Sequence, residues 1–385
     1  MKIVADDKIP FLRGVLEPFA EVSYIPANLI TNEIISDADA LLIRTRTKCD
    51  ELLLKGSSVK FIGSATIGYD HINTAYCKKN NIAWTNAPGC NSSSVCQYVV
   101  SALLKLSIDK GFSLKGKTIG IVGLGNVGSK IEKAANALEM TVILNDPLRA
   151  KNEPKKPFET LDVILEKSDI ITLHVPLTLN GKKKTFHFFD DHIFKKIKKD
   201  TWLINTSRGE VVNGSALKKA LNEGTIAGAI LDVWENEPDI DTSLMDNVFI
   251  ATPHIAGYST DGKANGTSII VNYLCRFFNI GLTDWKPQDI PPPKNPKLTI
   301  EANGKSYEQI ISEAVFHSYD IAVDNQRLKS SPATFEKQRG NYRIRREFSS
   351  FSIILHGENT EAKKALKGMG FNQKNSSGLS PWVIH

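Results

Sequence analysis

Short apolar segments alternate with polar stretches of helical spacing through residues 1–111. In the stretch 91–111, apolar side chains recur at the three- and four-residue steps of one helix face, and serines near its start are suitable N-caps. Regular alternation of strands and helices is typical of a parallel sheet covered by helices. The strands predicted in this block are 2–6, 40–45, 59–65 and 82–87.

A second alternating block follows this helix, and another amphipathic helix is predicted at 261–279. The same reasoning predicts a second doubly wound α/β domain with a parallel sheet. Its predicted strands are 117–123, 141–146, 169–175, 201–207, 228–234 and 248–254.

The stretch 289–297, "DIPPPKNPK", is dense in proline and predicts an extended linker. Behind it, helices are predicted near 306–326 and 360–368, with a strand near 350–355, so this part of the chain is interpreted as a separate small α/β domain. The predicted organisation is one domain from 1–92 and 258–285, a second from 93–257, and a third from 286–385.

Composition narrows the class of protein. With 41% hydrophobic and 23% charged residues, the chain has the balance of a globular protein. The net charge of +6 is modest, and no nucleic-acid module is recognisable. Five irregularly spaced cysteines favour a reducing compartment, and neither a signal peptide nor a membrane-spanning stretch is apparent, so a cytoplasmic location is expected. No metal site is predicted.

Gly123, Gly125 and Gly128 form a G-x-G-x-x-G motif between an apolar strand and a helical pattern. The first glycine allows a tight turn, the second lets the backbone approach a pyrophosphate, and the third lets the helix pack on the strand. The amides at the helix start favour a bound anion. This loop, which also contains Asn126 and Val127, is therefore the predicted dinucleotide site.

Asp146 ends the next predicted strand. A carboxylate there accepts hydrogen bonds from ribose hydroxyls and repels a 2′-phosphate, which favours NAD over NADP. Arg149 lies close by and weakens this preference.

Arg208, Glu237 and His254 each follow a predicted strand of the second block. In doubly wound sheets the loops after the carboxyl ends of strands form the ligand crevice. Such a set suits hydride transfer at a 2-hydroxy acid: the histidine takes the hydroxyl proton, the glutamate holds the imidazole, and the arginine binds the carboxylate.

Arg44 and Arg46 stand two residues apart at the end of a predicted strand, so an extended chain would point both to the same side. They form either a solvated strand end or an anion site. The residues alone leave both interpretations open.

Six segments together resemble the D-isomer-specific 2-hydroxyacid dehydrogenases: 62–73, 86–100, the glycine motif, "LINTSRGEVVN" (203–213), "LDVWENEP" (231–238) and "TPHIAG" (252–257). The resemblance covers roughly residues 1–280. It implies two Rossmann-like domains with a cleft between them, NAD as cofactor, and the catalytic roles given above for Arg208, Glu237 and His254. It further implies cofactor contacts from His174, Pro176, Thr206, Ser207, Asp232 and Gly257, and substrate contacts from Thr66 and Tyr258.

The segment after the linker is similar to the dimerisation domain carried by one branch of this family, which acts on a phosphorylated 2-hydroxy acid. A homodimer is therefore expected, with Arg44, Thr45 and Arg46 at the substrate phosphate. In "NYRIRREF" (341–348), Arg343, Arg345 and Arg346 are interpreted as one face of a strand that is either solvated or reaches the partner's cleft.

Two alternatives stay open. The first is a dehydrogenase of the same family that acts on phosphoglycerate, glyoxylate or hydroxypyruvate. The second is an NADH-sensing, corepressor-like binding protein, because relatives of that kind can retain the same three residues.

Overall fold

The computed structural model describes residues 1–181 and 183–373, and the chain divides into two compact units. One unit is Met1–Asn91 with Tyr258–Pro291, and the other is Ser92–Gly257 with the chain from Pro292 onward. The strands are β1 (Lys2–Asp6), β2 (Glu21–Ile25), β3 (Ala40–Ile43), β4 (Phe61–Ser64), β5 (Ala83–Thr85), β6 (Thr118–Val122), β7 (Thr141–Asn145), β8 (Ile170–Leu173), β9 (Trp202–Asn205), β10 (Gly228–Leu231), β11 (Ile250–Ala251), β12 (Lys297–Glu301), β13 (Ser352–His356) and β14 (Asn372–Gln373). The helices are α1 (Glu51–Leu54), α2 (Thr74–Lys79), α3 (Ser92–Lys110), α4 (Asn126–Ala137), α5 (Pro147–Asn152), α6 (Leu161–Lys167), α7 (Asp191–Phe194), α8 (Gly214–Asn222), α9 (Thr242–Asn247), α10 (Thr260–Phe277), α11 (Tyr307–Ser318), α12 (Ile321–Ser330), α13 (Phe335–Gly340) and α14 (Thr360–Met369).

The first unit is built on a parallel five-stranded sheet with the order β2-β1-β3-β4-β5. The predicted parallel sheet is confirmed. The edge strand β2 was not predicted, because its side chains are half-buried or exposed and give no apolar run. Alternate residues of the inner strands fill two cores, and α10 covers one of them with Ile270, Val271 and Leu274.

The second unit contains a parallel six-stranded sheet with the order β11-β10-β9-β8-β6-β7. From β6 the chain passes first to β7 on one side and then to β8 on the other, which places a ligand crevice at the carboxyl ends of these strands. The strands were predicted but end earlier than expected: β9 stops at Asn205 and β10 at Leu231. The residues that follow are therefore loop residues at this crevice.

Two long helices were predicted to within two residues at each end. The predicted helix 91–111 is α3, most of whose side chains are buried, and the predicted helix 261–279 is α10. No helix among the described residues is both long and apolar enough to cross a lipid bilayer.

The C-terminal segment begins with a strand, so the expectation of a helix as its first element is wrong. Strand β12 pairs with β13 and β13 with β14 in a parallel three-stranded sheet. The single helix predicted near 306–326 is two helices, because Asp320 caps a new helix start through its side chain.

This segment packs closely on the rest of the second unit, to which it belongs. Helix α14 lies against α4, and Ser101 Oγ donates to the Tyr319 carbonyl at 2.9 Å. The independent third domain, 286–385, stays a prediction, and residues 374–385 of it lie outside the described residues.

The interpretation of 341–348 as a strand carrying arginines on one face is wrong. The chain from Asn341 to Glu347 is irregular. Arg343 pairs with the buried Asp324, and Arg345 is itself only 3% exposed, where it donates hydrogen bonds to Gln97 and to the carbonyls of Ser94, Ile255 and Ala256. A buried guanidinium surrounded by acceptors is not available to a solvated face or to a partner subunit.

Candidate active site

The glycine-rich loop lies between β6 and α4 and has the close packing that its motif predicts. Gly123 has φ +91°, and a Cβ at Gly128 would lie 2.1 Å from the Gly123 carbonyl oxygen. A side chain is thus excluded at the contact of helix and strand. At Gly125, by contrast, a Cβ would meet nothing within 4 Å, so this position borders open space at the start of α4, where Asn126 and Val127 follow.

That open space is a groove of about 480 Å³ lined by the loop and by Lys130, Lys133 and Arg149. Backbone amides at a helix start, an open approach at Gly125 and basic side chains together fit a pyrophosphate. The residues present therefore fit a dinucleotide cofactor.

Asp146 connects this loop to the end of β7. Its Oδ2 accepts from the Leu124 amide at 2.9 Å, and its Oδ1 accepts from the amides of Leu148 and Arg149 at 3.1 and 3.0 Å. Arg149 turns to Glu153 through two hydrogen bonds of 2.6 and 2.7 Å and also donates to the Leu124 carbonyl. Because its charge is paired with Glu153, Arg149 is a weaker ligand for a 2′-phosphate than the sequence alone suggests.

The loops after β8 and β9 are joined by His174. Its Nε2 lies 2.8 Å from Thr172 Oγ1 and its Nδ1 lies 3.4 Å from Thr206 Oγ1. Burial lowers the pKa of His174 to about 3, so the imidazole is neutral. Pro176 follows on the same loop, where its carbonyl accepts from Thr185.

Buried Asn205 shapes the turn that carries Arg208. Its Oδ1 accepts from the Ser207 amide and hydroxyl at 3.0 and 2.7 Å, and its Nδ2 donates to the Arg208 carbonyl at 2.9 Å. The next residue, Gly209, packs so closely that a Cβ would lie 2.0 Å from the Trp234 carbonyl. The arginine loop therefore lies directly on the loop that carries Glu237.

His254 and Glu237 are in direct contact, as the catalytic prediction requires. His254 Nδ1 lies 2.7 Å from Glu237 Oε2, and Glu237 Oε1 accepts from the Trp234 amide at 3.0 Å. The glutamate is thus held on one side by the backbone and orients the imidazole on the other, which leaves Nε2 as the ring atom that can exchange a proton with a ligand.

The backbone at His254 is in the left-handed region, with φ +55°. Such a conformation costs of order 1–3 kcal/mol for a non-glycine residue and persists only where the surroundings hold it. Asp232 supplies part of that hold. Its carboxylate accepts from the amides of Ile255 and Ala256, both at 2.8 Å, and from Thr252 Oγ1 at 2.6 Å.

Burial raises the pKa of Asp232, against the opposing effects of His254 and of these three hydrogen bonds. Asp232, which is predicted to contact the cofactor, therefore also holds the loop from His254 to Gly257 in place through hydrogen bonds.

In the first unit, β3 ends at Ile43, so the predicted extension of this strand through Arg44 and Thr45 is wrong. Arg44 turns back to Asp6, which is fully buried at the end of β1, with hydrogen bonds of 3.0 and 3.2 Å. Thr45 and Arg46 follow in an exposed turn. The argument that an extended chain aligns the two arginines does not hold, because the chain is not extended there.

Lys263 lies near Arg44 in the first unit and was not predicted from the sequence as a site residue. Its Nζ lies 5.2 Å from the centroid of the Tyr258 ring. Loss of water around the amine and, secondarily, the charge of Arg44 lower its pKa. Lys263, Arg44 and Tyr258 thus lie near one another in the first unit, and only long-range folding shows it, because α10 returns to this sheet from far along the chain.

Thr66 lies just after β4. Its Oγ1 is 2.9 Å from Ser64 Oγ and donates to the Gly68 carbonyl at 3.3 Å. Ser64 also lies 3.2 Å from Nε2 of His71, whose pKa is lowered by burial. Thr66 therefore belongs to a small polar cluster at the end of this sheet. The described residues include no group of three or more histidine, cysteine, aspartate or glutamate side chains placed to hold a metal ion.

Comparison with known proteins agrees with this geometry. Residues 104–256 match the model of the D-isomer specific 2-hydroxyacid dehydrogenase NAD binding domain, and residues 290–370 match a domain of unknown function, DUF3410. Among solved structures, the NAD complex of NAD-dependent formate dehydrogenase from Staphylococcus aureus is 25% identical, with a TM-score of 0.62, over 74% of this chain and 98% of that one. NAD+-bound 3-phosphoglycerate dehydrogenase from Entamoeba histolytica is 26% identical, with a TM-score of 0.61, over 75% of this chain and 99% of that one.

The chain belongs to the D-isomer-specific 2-hydroxyacid dehydrogenases, and its cofactor is NAD. Curated relatives narrow the class. Erythronate-4-phosphate dehydrogenase of Bacteroides fragilis is 51% identical over 92% of this chain and 99% of its own length. The enzymes of that name from Porphyromonas gingivalis and Escherichia coli are each 39% identical, over 96% and 97% of this chain and 100% and 98% of their own lengths. Within the class, this chain belongs to the erythronate-4-phosphate dehydrogenase family.

Proposed function

We propose that this chain oxidises 4-phospho-D-erythronate to 3-hydroxy-2-oxo-4-phosphooxybutanoate with NAD, a step in the biosynthesis of pyridoxal 5′-phosphate. The observation that carries the proposal is identity of 51% with an erythronate-4-phosphate dehydrogenase along 92% of the chain. Steady-state rates with this acid, 3-phosphoglycerate and erythronate test it.

The proposed chemistry begins with removal of a proton from the C2 hydroxyl by Nε2 of His254, while the C2–H bond breaks and its electron pair leaves as hydride. Bound NAD supplies the acceptor for that hydride. Glu237, 2.7 Å from the other ring nitrogen, orients the imidazole and stabilises the imidazolium that forms. Arg208 binds the C1 carboxylate and polarises the new C2 carbonyl.

The cofactor assignments follow the geometry of the second unit. We assign the pyrophosphate to the amides of the Gly123–Gly128 loop and the ribose hydroxyls to Asp146, whose two oxygens keep acceptor capacity beside their backbone contacts. The remaining assignments are to the nicotinamide side: His174, Pro176, Thr206, Ser207, Asp232 and Gly257.

Within the first unit, we assign the substrate phosphate to Arg44, Thr45, Arg46 and Lys263, the carboxylate end to Thr66, and a further substrate contact to Tyr258. Asp6 neutralises part of the Arg44 charge, which makes Lys263 a stronger phosphate ligand than Arg44.

Lys263→Met and Arg46→Ala are each expected to raise the KM for 4-phosphoerythronate about tenfold or more, because a charge-assisted contact contributes about 1.5–3 kcal/mol. Neither change should alter kcat by more than about threefold, since uniform binding is lost rather than transition-state binding. Steady-state kinetics measure this, with the exposed Lys78→Met as control. An unchanged KM in both variants would mean that the substrate phosphate does not bind at Arg46 and Lys263.

We further propose that the chain is a homodimer formed through residues 286–385, and that it acts in the cytoplasm, where its five buried thiols stay reduced. Val323 and Ile344 in this segment are 45% and 61% exposed, which suits an apolar contact with a second copy.

Ile344→Glu is expected to shift the chain towards monomer at micromolar concentration, because a desolvated charge would oppose the contact. Sedimentation velocity measures the change. Leu52→Glu, at a position 86% exposed in the first unit, is the matched control and should leave the mass unchanged. A dimer that withstands Ile344→Glu, Val323→Glu and both together would place the interface elsewhere.

A further inference from the structure

The C-terminal segment of the second unit reaches the proposed catalytic pair of its own chain at Arg339. This arginine lies on α13 and its side chain is only 17% exposed. Its Nη1 is 2.6 Å from Glu336 Oε1 and 4.0 Å from Glu237 Oε2, the oxygen that also contacts His254. A guanidinium at that distance attracts the Glu237 carboxylate and helps to hold Oε2 against the imidazole.

A second arginine of the same segment holds the loop that carries His254. Arg345 is 3% exposed, and its Nη1 and Nη2 donate to the carbonyls of Ile255 and Ala256, both at 3.2 Å. Nη2 also donates to the Ser94 carbonyl at 2.5 Å, and Nε donates to Gln97 Oε1 at 2.9 Å. Its Cζ lies 3.9 Å from the centroid of the Tyr319 ring.

These contacts complete the anchoring of the two residues after the histidine. Asp232 engages the amides of Ile255 and Ala256 from one side, and Arg345 engages their carbonyls from the other. His254, with its left-handed backbone, directly precedes this doubly held dipeptide. Burying a guanidinium is costly unless its donors are satisfied, and two of the hydrogen bonds that satisfy Arg345 go to the backbone of the catalytic loop.

We propose that Arg339 and Arg345 are positioning residues for the catalytic pair: Arg345 fixes the His254 loop, and Arg339 fixes the carboxylate of Glu237. The C-terminal segment is thereby part of the active site of its own chain, in addition to the dimer contact proposed above. The inference rests on the proposed function, since it assigns the pair its role in proton removal. Charged groups near the pair in the described structure include Arg339, Glu336 and buried Asp232.

The test compares Arg339→Gln with Arg339→Lys, which keeps the charge, and with Arg327→Gln, which removes an exposed arginine from α12 of the same segment. We expect Arg339→Gln to lower kcat roughly 5–30-fold, less than the ~10²-fold that a 1 Å misplacement can cost, with KM changed less than threefold. The acidic limb of the pH–rate profile should move about 0.3–1 unit to higher pH, because losing a cation beside Glu237 stabilises the imidazolium.

Arg339→Lys should retain the pH profile of the unmodified chain, and Arg327→Gln should retain both its rate and its profile. Arg345→Lys keeps the charge but loses the planar fork, so kcat should fall about tenfold while NADH still binds. If Arg345→Lys does not fold, the Arg339 comparison decides by itself. Equal kcat and an equal pH profile for Arg339→Gln and Arg327→Gln would overturn the proposal.

Failure of this inference is distinguishable from failure of the proposed function. The unmodified chain is assayed first, and the variants are compared on whichever 2-hydroxy acid it oxidises. If the unmodified chain oxidises another 2-hydroxy acid but not 4-phosphoerythronate, the proposed substrate is wrong. If all variants behave identically on an acid that the chain accepts, the positioning role of the two arginines is wrong.

Discussion

Replacing His254 with asparagine should lower kcat for oxidation of 4-phosphoerythronate by about 10²–10⁴-fold, the usual contribution of a general base. Asparagine preserves much of the side-chain volume and can keep a hydrogen bond to Glu237 but cannot accept the hydroxyl proton. NADH affinity should stay within about threefold, because the histidine does not belong to the glycine loop. Single-turnover kinetics separate the chemical step from product release.

The matched control for this variant is His187→Asn. His187 Nε2 lies 2.6 Å from Glu235 Oε1 in the same unit, so it forms a similar histidine–glutamate pair without a proposed catalytic role. Its replacement should leave kcat nearly unchanged. Oxidation by the unmodified chain should rise with pH and reduction should fall, because oxidation needs the neutral imidazole and reduction needs the protonated one. If kcat falls less than tenfold in His254→Asn, His254 is not the general base.

Gly125→Ala and Gly128→Ala should impair NAD binding for different reasons: the first blocks the approach of the cofactor, and the second disturbs the packing of the loop itself. A methyl at Gly128 would meet the Gly123 carbonyl oxygen at 2.1 Å, so the turn or the helix must move. Overpacking of that kind costs about 1–3 kcal/mol, which should lower the free energy of unfolding even without cofactor. A methyl at Gly125 meets nothing within 4 Å, so it should leave the unfolding free energy unchanged.

Gly125→Ala should nevertheless weaken NADH binding about tenfold or more, because its methyl would occupy the space in which the backbone approaches the pyrophosphate. Fluorescence titration with NADH and denaturant unfolding without it measure the two effects separately. Unchanged NADH affinity in Gly125→Ala would mean that the pyrophosphate does not approach this loop.

The sequence predicted those features of the site that depend on local pattern. The glycine motif, its position between β6 and α4, and the placement of Arg208, Glu237 and His254 after strands all follow from spacing and strand order. Parallel sheets were predictable because buried strands alternate with amphipathic helices. The sequence also placed His254 and Glu237 at the same end of one sheet, where the structure has them in contact.

Features that depend on contacts between distant segments were not predictable. Arg345 reads as one cation in a basic stretch, and only the folded chain shows it buried against residues 94–97 and 255–256. Arg44 looked available for an anion because nothing near it in sequence reveals its pairing with Asp6. Strand β12 was missed because its alternating pattern is only five residues long, has just two apolar positions, Leu298 and Ile300, and directly follows the proline-rich linker.

The central claim is that this chain oxidises 4-phospho-D-erythronate, and it is tested most directly by kcat/KM for three acids with NAD. These are 4-phosphoerythronate, 3-phosphoglycerate and unphosphorylated erythronate, each assayed with and without 2-oxoglutarate, which can re-oxidise cofactor that stays bound. We predict that kcat/KM for 4-phosphoerythronate exceeds that for either of the other acids by at least about tenfold, the value of one charge-assisted contact. A preference for 3-phosphoglycerate, or no oxidation of any of the three while NADH still binds, would contradict the account.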